Sequence, residues 1–534
     1  MRNSHIIQLR HASFYLNLLR GHEAHYAVRA EDRSAAIRAL AADWTNIEIA
    51  QKRCQKLVGK DDEATAFCCD YPTAGARLLD SVMHPRERIR WRQAALKAAE
   101  ALKFRAGLSA HFGNLGLAYL DLGEPRRAIK LLKKALTLAR EFGDSEGEST
   151  ELGNLGVAYF ELGQASRALK LYEQALGIAR EIGNRSAEGQ FLRNLGGCWA
   201  TLGELQLASE AYEISLAIAR ESNDVQAVGA TLGRIGLVYK QMGKPLLAID
   251  CLTQALFISR SLGDIRAEAK ALGDLGVVHY TRSEVKHAIG LFEQQLAIVQ
   301  KSGDAQGESK AMGNLALCYA FLGRVPEAFE LTQSALNMSR QIGNRHVEAD
   351  LWGHLGHLYA AQGNEAHAID AYQEQLQLTR SIKNQSGEGN ALNNLGNMCL
   401  ASGDVEGAMN YYQKRLVITR KVEDRLGEGT VLGNIGLVHF LLGDAKIAIE
   451  FYDQHIAIAQ QIGDLKGEAN SLLNKGVALD NLGRLSEAII HTAGAFKIFR
   501  RIENPTAGRA QLLLDKLQRK ETGGGGSERG LLLS

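Results

Sequence analysis

From residue 107 onward the apolar positions recur at helical spacing and at a fixed interval. HFGNLGLAYLDLGEPRRAIKLLKKALTLAREFGD, starting at His111, and ELGNLGVAYFELGQASRALKLYEQALGIAREIGN, starting at Glu151, place the same small, apolar and polar positions forty residues apart. The interval holds for ten repeats, residues 107–506, without an insertion or deletion. Self-similarity at a fixed period is the mark of an array in which each unit buries its apolar face on its neighbours. Apolar residues three and four apart predict two antiparallel helices per repeat, about 108–122 and 125–141 in the first, joined by a short turn.

The columns of the repeat assign jobs to residues. The Ala128 column is alanine in all ten repeats, as a close helix crossing requires. Gly116 recurs inside the apolar pattern in nine repeats, with Ala316 in the other, and implies close approach of another element. Gly123 recurs in nine, with Ser283 in the other, and reads as a left-handed cap that ends the first helix. The Asp144 column opens the next repeat with a capping side chain, and Glu148 and its equivalents put an acid in the first turn, facing the helix dipole. Five columns hold about two thirds of the 55 glycines, which explains how a chain with only 6 prolines is so glycine-rich.

A helix, turn and helix carrying Leu115, Gly116, Tyr119, Ala128 and Ala135 at these offsets resembles the tetratricopeptide repeat (TPR) family over about three quarters of the chain. The forty-residue unit, with its GNLG and AREIGD-like segments, is similar to the repeats of kinesin light chains, spindle-orientation adaptors and bacterial signalling proteins. The usual period is 34, often closed by a proline; here Arg140 stands near that point, implying a longer second helix. The resemblance implies an all-α, right-handed superhelical solenoid whose first helices line a concave face.

The remaining segments are read as an N-terminal helical cap (1–70, with helical spacing over 5–23, 31–58 and 61–70), a degenerate helix pair (71–106), the end of a capping helix (507–522, completing a helix over 505–520) and a flexible Gly-rich tail (523–534). The region before the repeats resembles, weakly, helical connectors of bacterial NB-ARC-type signalling ATPases. The chain lacks a GxxxxGK[ST] phosphate loop, so such an ATPase would lie on another chain.

Charge and chemistry narrow the function. With 62 Lys and Arg against 60 Asp and Glu, the net charge is +2, which disfavours wrapping nucleic acid. Seven scattered cysteines with no CxxC spacing fit a reducing, cytoplasmic setting, and no apolar run reaches the length of a membrane span. Gly143–Gly147 matches GxSxG only formally, because it is one copy of the inter-repeat turn. His354 and His357 with Asp350 have ligand-like spacing, but no further donor completes a metal set, and solvated groove polarity is the preferred reading. No catalytic constellation, cofactor or metal is expected.

What remains is a binding face. Positions 110, 113, 114 and 117 share one stripe of the first helix. The 114 column reads Asn114, Asn154, Asn194, Arg234, Asp274, Asn314, His354, Asn394, Asn434 and Asn474. Mid-helix asparagine costs about 0.6 kcal/mol against alanine, so the column needs a reason. Its amides suit the N–H and C=O of an extended peptide, or they bridge neighbouring helices. Arg193, Arg234, Lys240, Lys270 and Lys310 make the third to sixth repeats basic, suiting an acidic partner. Asn390, Asn393, Asn394 and Asn397 crowd one helix, and Phe160, Tyr280 and Phe440 are candidate apolar anchors or packing between repeats. The expected function is a non-enzymatic scaffold that binds an extended peptide or helical segment of another protein in the concave groove, with self-association open to exposed solenoid ends. The alternative is the sensor part of an NB-ARC-type ATPase system.

Overall fold

The computed structural model describes residues 2–28, 30–422, 424–502 and 504–522; the expected Gly-rich tail at 523–534 lies outside the described residues. Twenty-six helices and no strand are found among them. Five precede the repeats: α1 (Arg2–Val28), α2 (Ala30–Leu57), α3 (Asp62–Ala74), α4 (Ala76–Val82) and α5 (Pro85–Ala101). Each repeat then adds two, beginning with α6 (Arg105–Asp121) and α7 (Pro125–Glu141), and α26 (Thr506–Glu521) follows the last pair. Consecutive helices pack on one another from α5 to the second helix of the second repeat, and again from the second helix of the third repeat to α26. The chain divides into two compact bodies, residues 1–198 and 199–534, each with its own core.

One sequence boundary moves. The segment expected to end at residue 70 continues to Ala74, so Tyr71 is not the start of a separate helix. The break falls at Gly75, whose backbone is non-helical (φ −133°, ψ 37°). A Cβ there would lie 2.6 Å from Leu19 Cδ1, so the α1 core residue Leu19 requires a glycine at that point.

Inside the repeats, Ala128 and its equivalents are fully buried, as the close crossing demands. The Gly116 column is explained by large side chains of the second helix. A Cβ at Gly156 would lie 2.6 Å from Tyr172 Cε1, at Gly276 2.5 Å from Phe292 Cε1 and at Gly356 2.4 Å from Tyr372 Cε1. The first helix thus lays bare backbone on an aromatic ring, which gains contact area that outweighs the glycine's helix cost of about 1 kcal/mol. Gly123 is left-handed (φ 75°), and Ser283 adopts the same region (φ 63°) where the column departs from glycine.

The acid at position 148 does more than face a dipole. Arg140 Nε donates to Glu148 Oε1 at 2.7 Å, and the pair recurs as Arg180–Glu188 (2.8 Å), Arg260–Glu268 (2.8 Å), Arg340–Glu348 (2.9 Å), Arg380–Glu388 (2.8 Å) and Arg420–Glu428 (2.9 Å). Gln300 and Gln460 donate to Glu308 and Glu468 in the same way. Each clasp ties the end of one repeat to the start of the next. Burial opposes ionisation of Glu188, but hydrogen bonds from Arg180 and Arg185 hold its carboxyl below the usual range.

Within the second body the array also meets itself. A Cβ at Gly203 would sit 3.1 Å from Arg425 Cβ and from Leu426 N; one at Gly463 would sit 3.6 Å from Met242 Cε; one at Gly243 would sit 3.7 Å from Ile502 Cδ1. The turns of the third and fourth repeats therefore lie against the junctions that follow the eighth, ninth and tenth.

Candidate functional site

The first helices position the candidate residues because their apolar stripe is consumed by packing, leaving columns 110, 114 and 117 on the other side. In the first body, Asn114, Asn154, Asn194 and Arg193 are half-buried on this face. Asn154 Nδ2 donates to Glu151 Oε2 at 3.3 Å. Glu151 itself is only 5% exposed, and burial pushes its carboxyl up to about 7.

In the second body the basic residues come together around one acid. Arg234, Lys240, Lys270 and Lys310 all act electrostatically on Asp274, yet enclosure still pushes its carboxyl above the ordinary range. Enclosure, then the neighbouring Arg234, lowers the Lys270 ammonium. None of the four cations forms an ion pair with another described residue, unlike the arginines of the clasps.

Next along the chain is a polar pocket of about 380 Å³, lined by Lys310, Asn314, Asp350, His354, His357, Gln375, Asn390, Asn393 and Asn394. His354 is half-buried against this pocket, and its Nδ1 is enclosed without a partner. Burial, then the neighbouring His357, pushes its imidazole down to about 4, so it is neutral at pH 7. His357 Nδ1 lies 2.9 Å from the Tyr372 hydroxyl. Among the described residues no group of three His, Cys, Asp or Glu side chains could hold a metal ion.

Some of the asparagines are engaged by other side chains and others are not. Asn434 Nδ2 donates to Asn393 Oδ1 at 2.9 Å, joining adjacent repeats, and the Tyr412 hydroxyl donates to Asn397 Oδ1 at 2.6 Å. Asn394 and the exposed Asn390 face the pocket instead, while Asn474 lies half-buried further on. Of the aromatic candidates, Tyr280 stacks edge-on against Phe321 with ring centroids 6.1 Å apart, Phe440 packs against the core around Tyr452 and Leu479, and Phe160 is half-buried.

Sequence reasoning passed over the Ala135 column. Gln295, Gln375, Arg415 and His455 replace the small residue there, and all are at least nine-tenths buried. Gln295 Oε1, Gln375 Oε1 and Arg415 Nε have no hydrogen-bond partner. The signal was available as a departure from alanine, and Gln375 brings one such orphan atom to the polar pocket.

Tetratricopeptide-repeat family models match residues 107–181, 267–341, 347–421 and 427–501, and a second such model matches 154–223. The chain belongs to the tetratricopeptide repeat family. Among solved structures, this TPR chain is similar to the apo form of the quorum sensor NprR from B. thuringiensis, with 14% identity, 66% of this chain and 97% of that chain covered, and a TM-score of 0.50. It is also similar to aspartyl phosphate phosphatase F from Bacillus subtilis (16% identity, 70% and 93% covered, TM-score 0.46). A third is a putative kinesin light chain from Podosopora anserina with nearly identical TPR-like repeats (20% identity, 38% and 98% covered, TM-score 0.33). At these identities the likeness is one of fold. No match was found among curated proteins. No helix among the described residues is long and apolar enough to cross a membrane.

Proposed function

We propose that this TPR chain is a protein-interaction scaffold whose first-helix face in the second body holds an extended peptide. The observation that carries the reading is the run of unpaired polar groups there: four cations around Asp274, then a pocket with Asn390, Asn394 and orphaned atoms of His354 and Gln375. Buried polar atoms without partners are costly, and each calls for an explanation such as a missing ligand. A peptide backbone carries both donors and acceptors for them. Carboxylates on the same peptide would sit opposite Arg234, Lys240, Lys270 and Lys310, giving specificity and fast association. The alternative reading, a sensor for an ATPase on another chain, gains no support from the family matches or solved structures.

Random twelve-residue peptides displayed on phage and selected on the full chain test this. Enrichment of Asp and Glu at clustered positions is expected, with at least tenfold weaker binding of a selected peptide to Asn394→Ala and to Lys270→Ala with Lys310→Ala. Recovery of sequences without acidic bias, bound equally by both variants, would overturn it.

A further inference from the structure

Where the second body meets itself, the contact is incomplete and leaves a pocket of about 500 Å³. Its walls come from both sides of the seam: Met242, Pro245, Leu246 and Leu247 from the fourth repeat, Leu465 from the end of the ninth and Ile502 from the end of the tenth. Met242 is 3% and Ile502 8% exposed, so the floor is core-like, whereas Leu246 (55%) and Leu247 (48%) still present apolar surface. The size falls within the range of about 300–1,000 Å³ in which small molecules bind.

The charged side chains of the lining are Lys244 and Arg501, both cationic. Lys244 Nζ lies 5.7 Å from the centre of the Tyr239 ring, and neither residue has an ion-pair partner among the described residues. Of the two acids next in sequence to the lining, Asp464 is buried and accepts the Gly467 N–H at 2.9 Å, and Glu503 lies outside the described residues. An apolar cavity with two unpaired cations in its lining matches a molecule with an apolar body and one negative head.

We propose that this pocket binds a small amphipathic monoanion, a free aliphatic carboxylic acid of medium chain length, with the chain against Met242, Leu247, Leu465 and Ile502 and the carboxylate beside Lys244 and Arg501. The site is separate from the peptide face and does not depend on the peptide reading. Because its walls come from repeats far apart in sequence, an occupant bolts the seam shut.

Titration calorimetry of the full chain with decanoate, below its micelle concentration, tests the proposal, with decanol as the uncharged counterpart. Saturable one-site binding is expected, at least tenfold tighter for decanoate than for decanol. Lys244→Ala with Arg501→Ala should abolish that tenfold preference while leaving decanol binding unchanged. Leu247→Asp, at a half-exposed position, should weaken both ligands at least tenfold. Decanoate should also slow amide exchange at 242–247 and 463–465 together. Absence of saturable binding, or equal decanoate affinity in all three proteins, would overturn the proposal. So would a tenfold gain in decanoate affinity on deleting residues 523–534, because the pocket would then belong to the chain's own Leu531–Leu533.

Discussion

The arginines of the inter-repeat clasps and the cations of the first-helix face belong to the same chain and comparable helices, yet they differ in one respect. Arg340 meets Glu348 at 2.9 Å, and Glu348 is 5% exposed; Lys270 and Lys310 meet no carboxylate at ion-pair distance and crowd one another instead. Composition treats these charges alike. Pairing separates them: the clasp charges are answered by ion pairs within the fold, and the groove charges are not.

The largest effect that can sharpen this contrast is at Glu151, a buried acid on the first-helix face with no cation beside it. Its folded value, raised to about 7 against an ordinary 4.5, means the native state holds a proton that the unfolded chain has released between those values. Stability therefore falls as pH rises from about 4.5 to 7 and stays low above. Glu151→Gln should raise stability at pH 8 by about 2–3 kcal/mol and flatten the dependence, as read by urea melts at pH 5 and pH 8. A variant with unchanged slope would show that Glu151 is answered after all.

Second in size is the clasp itself. Glu348→Ala removes the partner of Arg340 and Arg345 and should cost about 2 kcal/mol in a chemical melt. The double substitution Lys270→Ala with Lys310→Ala should stay within about 0.5 kcal/mol of the parent. If the two costs proved equal, the distinction between answered and unanswered charges would fail.

The seam offers a matched pair. Gly203 and Gly403 occupy the same column with φ 84° and 81°, but a Cβ at 203 meets Arg425 and Leu426 at 3.1 Å while one at 403 meets nothing within 4 Å. Asparagine tolerates that backbone region, so Gly203→Asn should cost about 1 kcal/mol more than Gly403→Asn. Thermal melts of the two variants decide it, and equal shifts would mean the seam gives way freely.

The period, the two helices, the left-handed turns and the small-residue columns were all legible, because each is a local rule repeated ten times. The clasps were half legible: the acid of Glu148 was read as a dipole partner, since nothing local says that a helix eight residues back sends Arg140 to meet it. The seam was illegible, because Gly203 looks like every other turn glycine and its neighbour Arg425 is brought to it by accumulated rotation across many repeats. At the candidate site, the clustering of Lys240, Lys270 and Lys310 followed from the column pattern, whereas the bond between Asn393 and Asn434 depends on side-chain angles no pattern encodes.

The clasp column has a single gap inside the array: opposite Arg220, where the other junctions from Glu148 to Glu468 carry glutamate, stands Val228. The turn between them is also closed by Asn223 in the left-handed region (φ 53°) in place of the glycine common at that column. Loaded as a spring, a chain of near-identical links yields at its softest one, so stretching this protein should first splay the junction between the third and fourth repeats. Supplying the missing latch with Val228→Glu should move the first rupture in a force-extension trace to higher load.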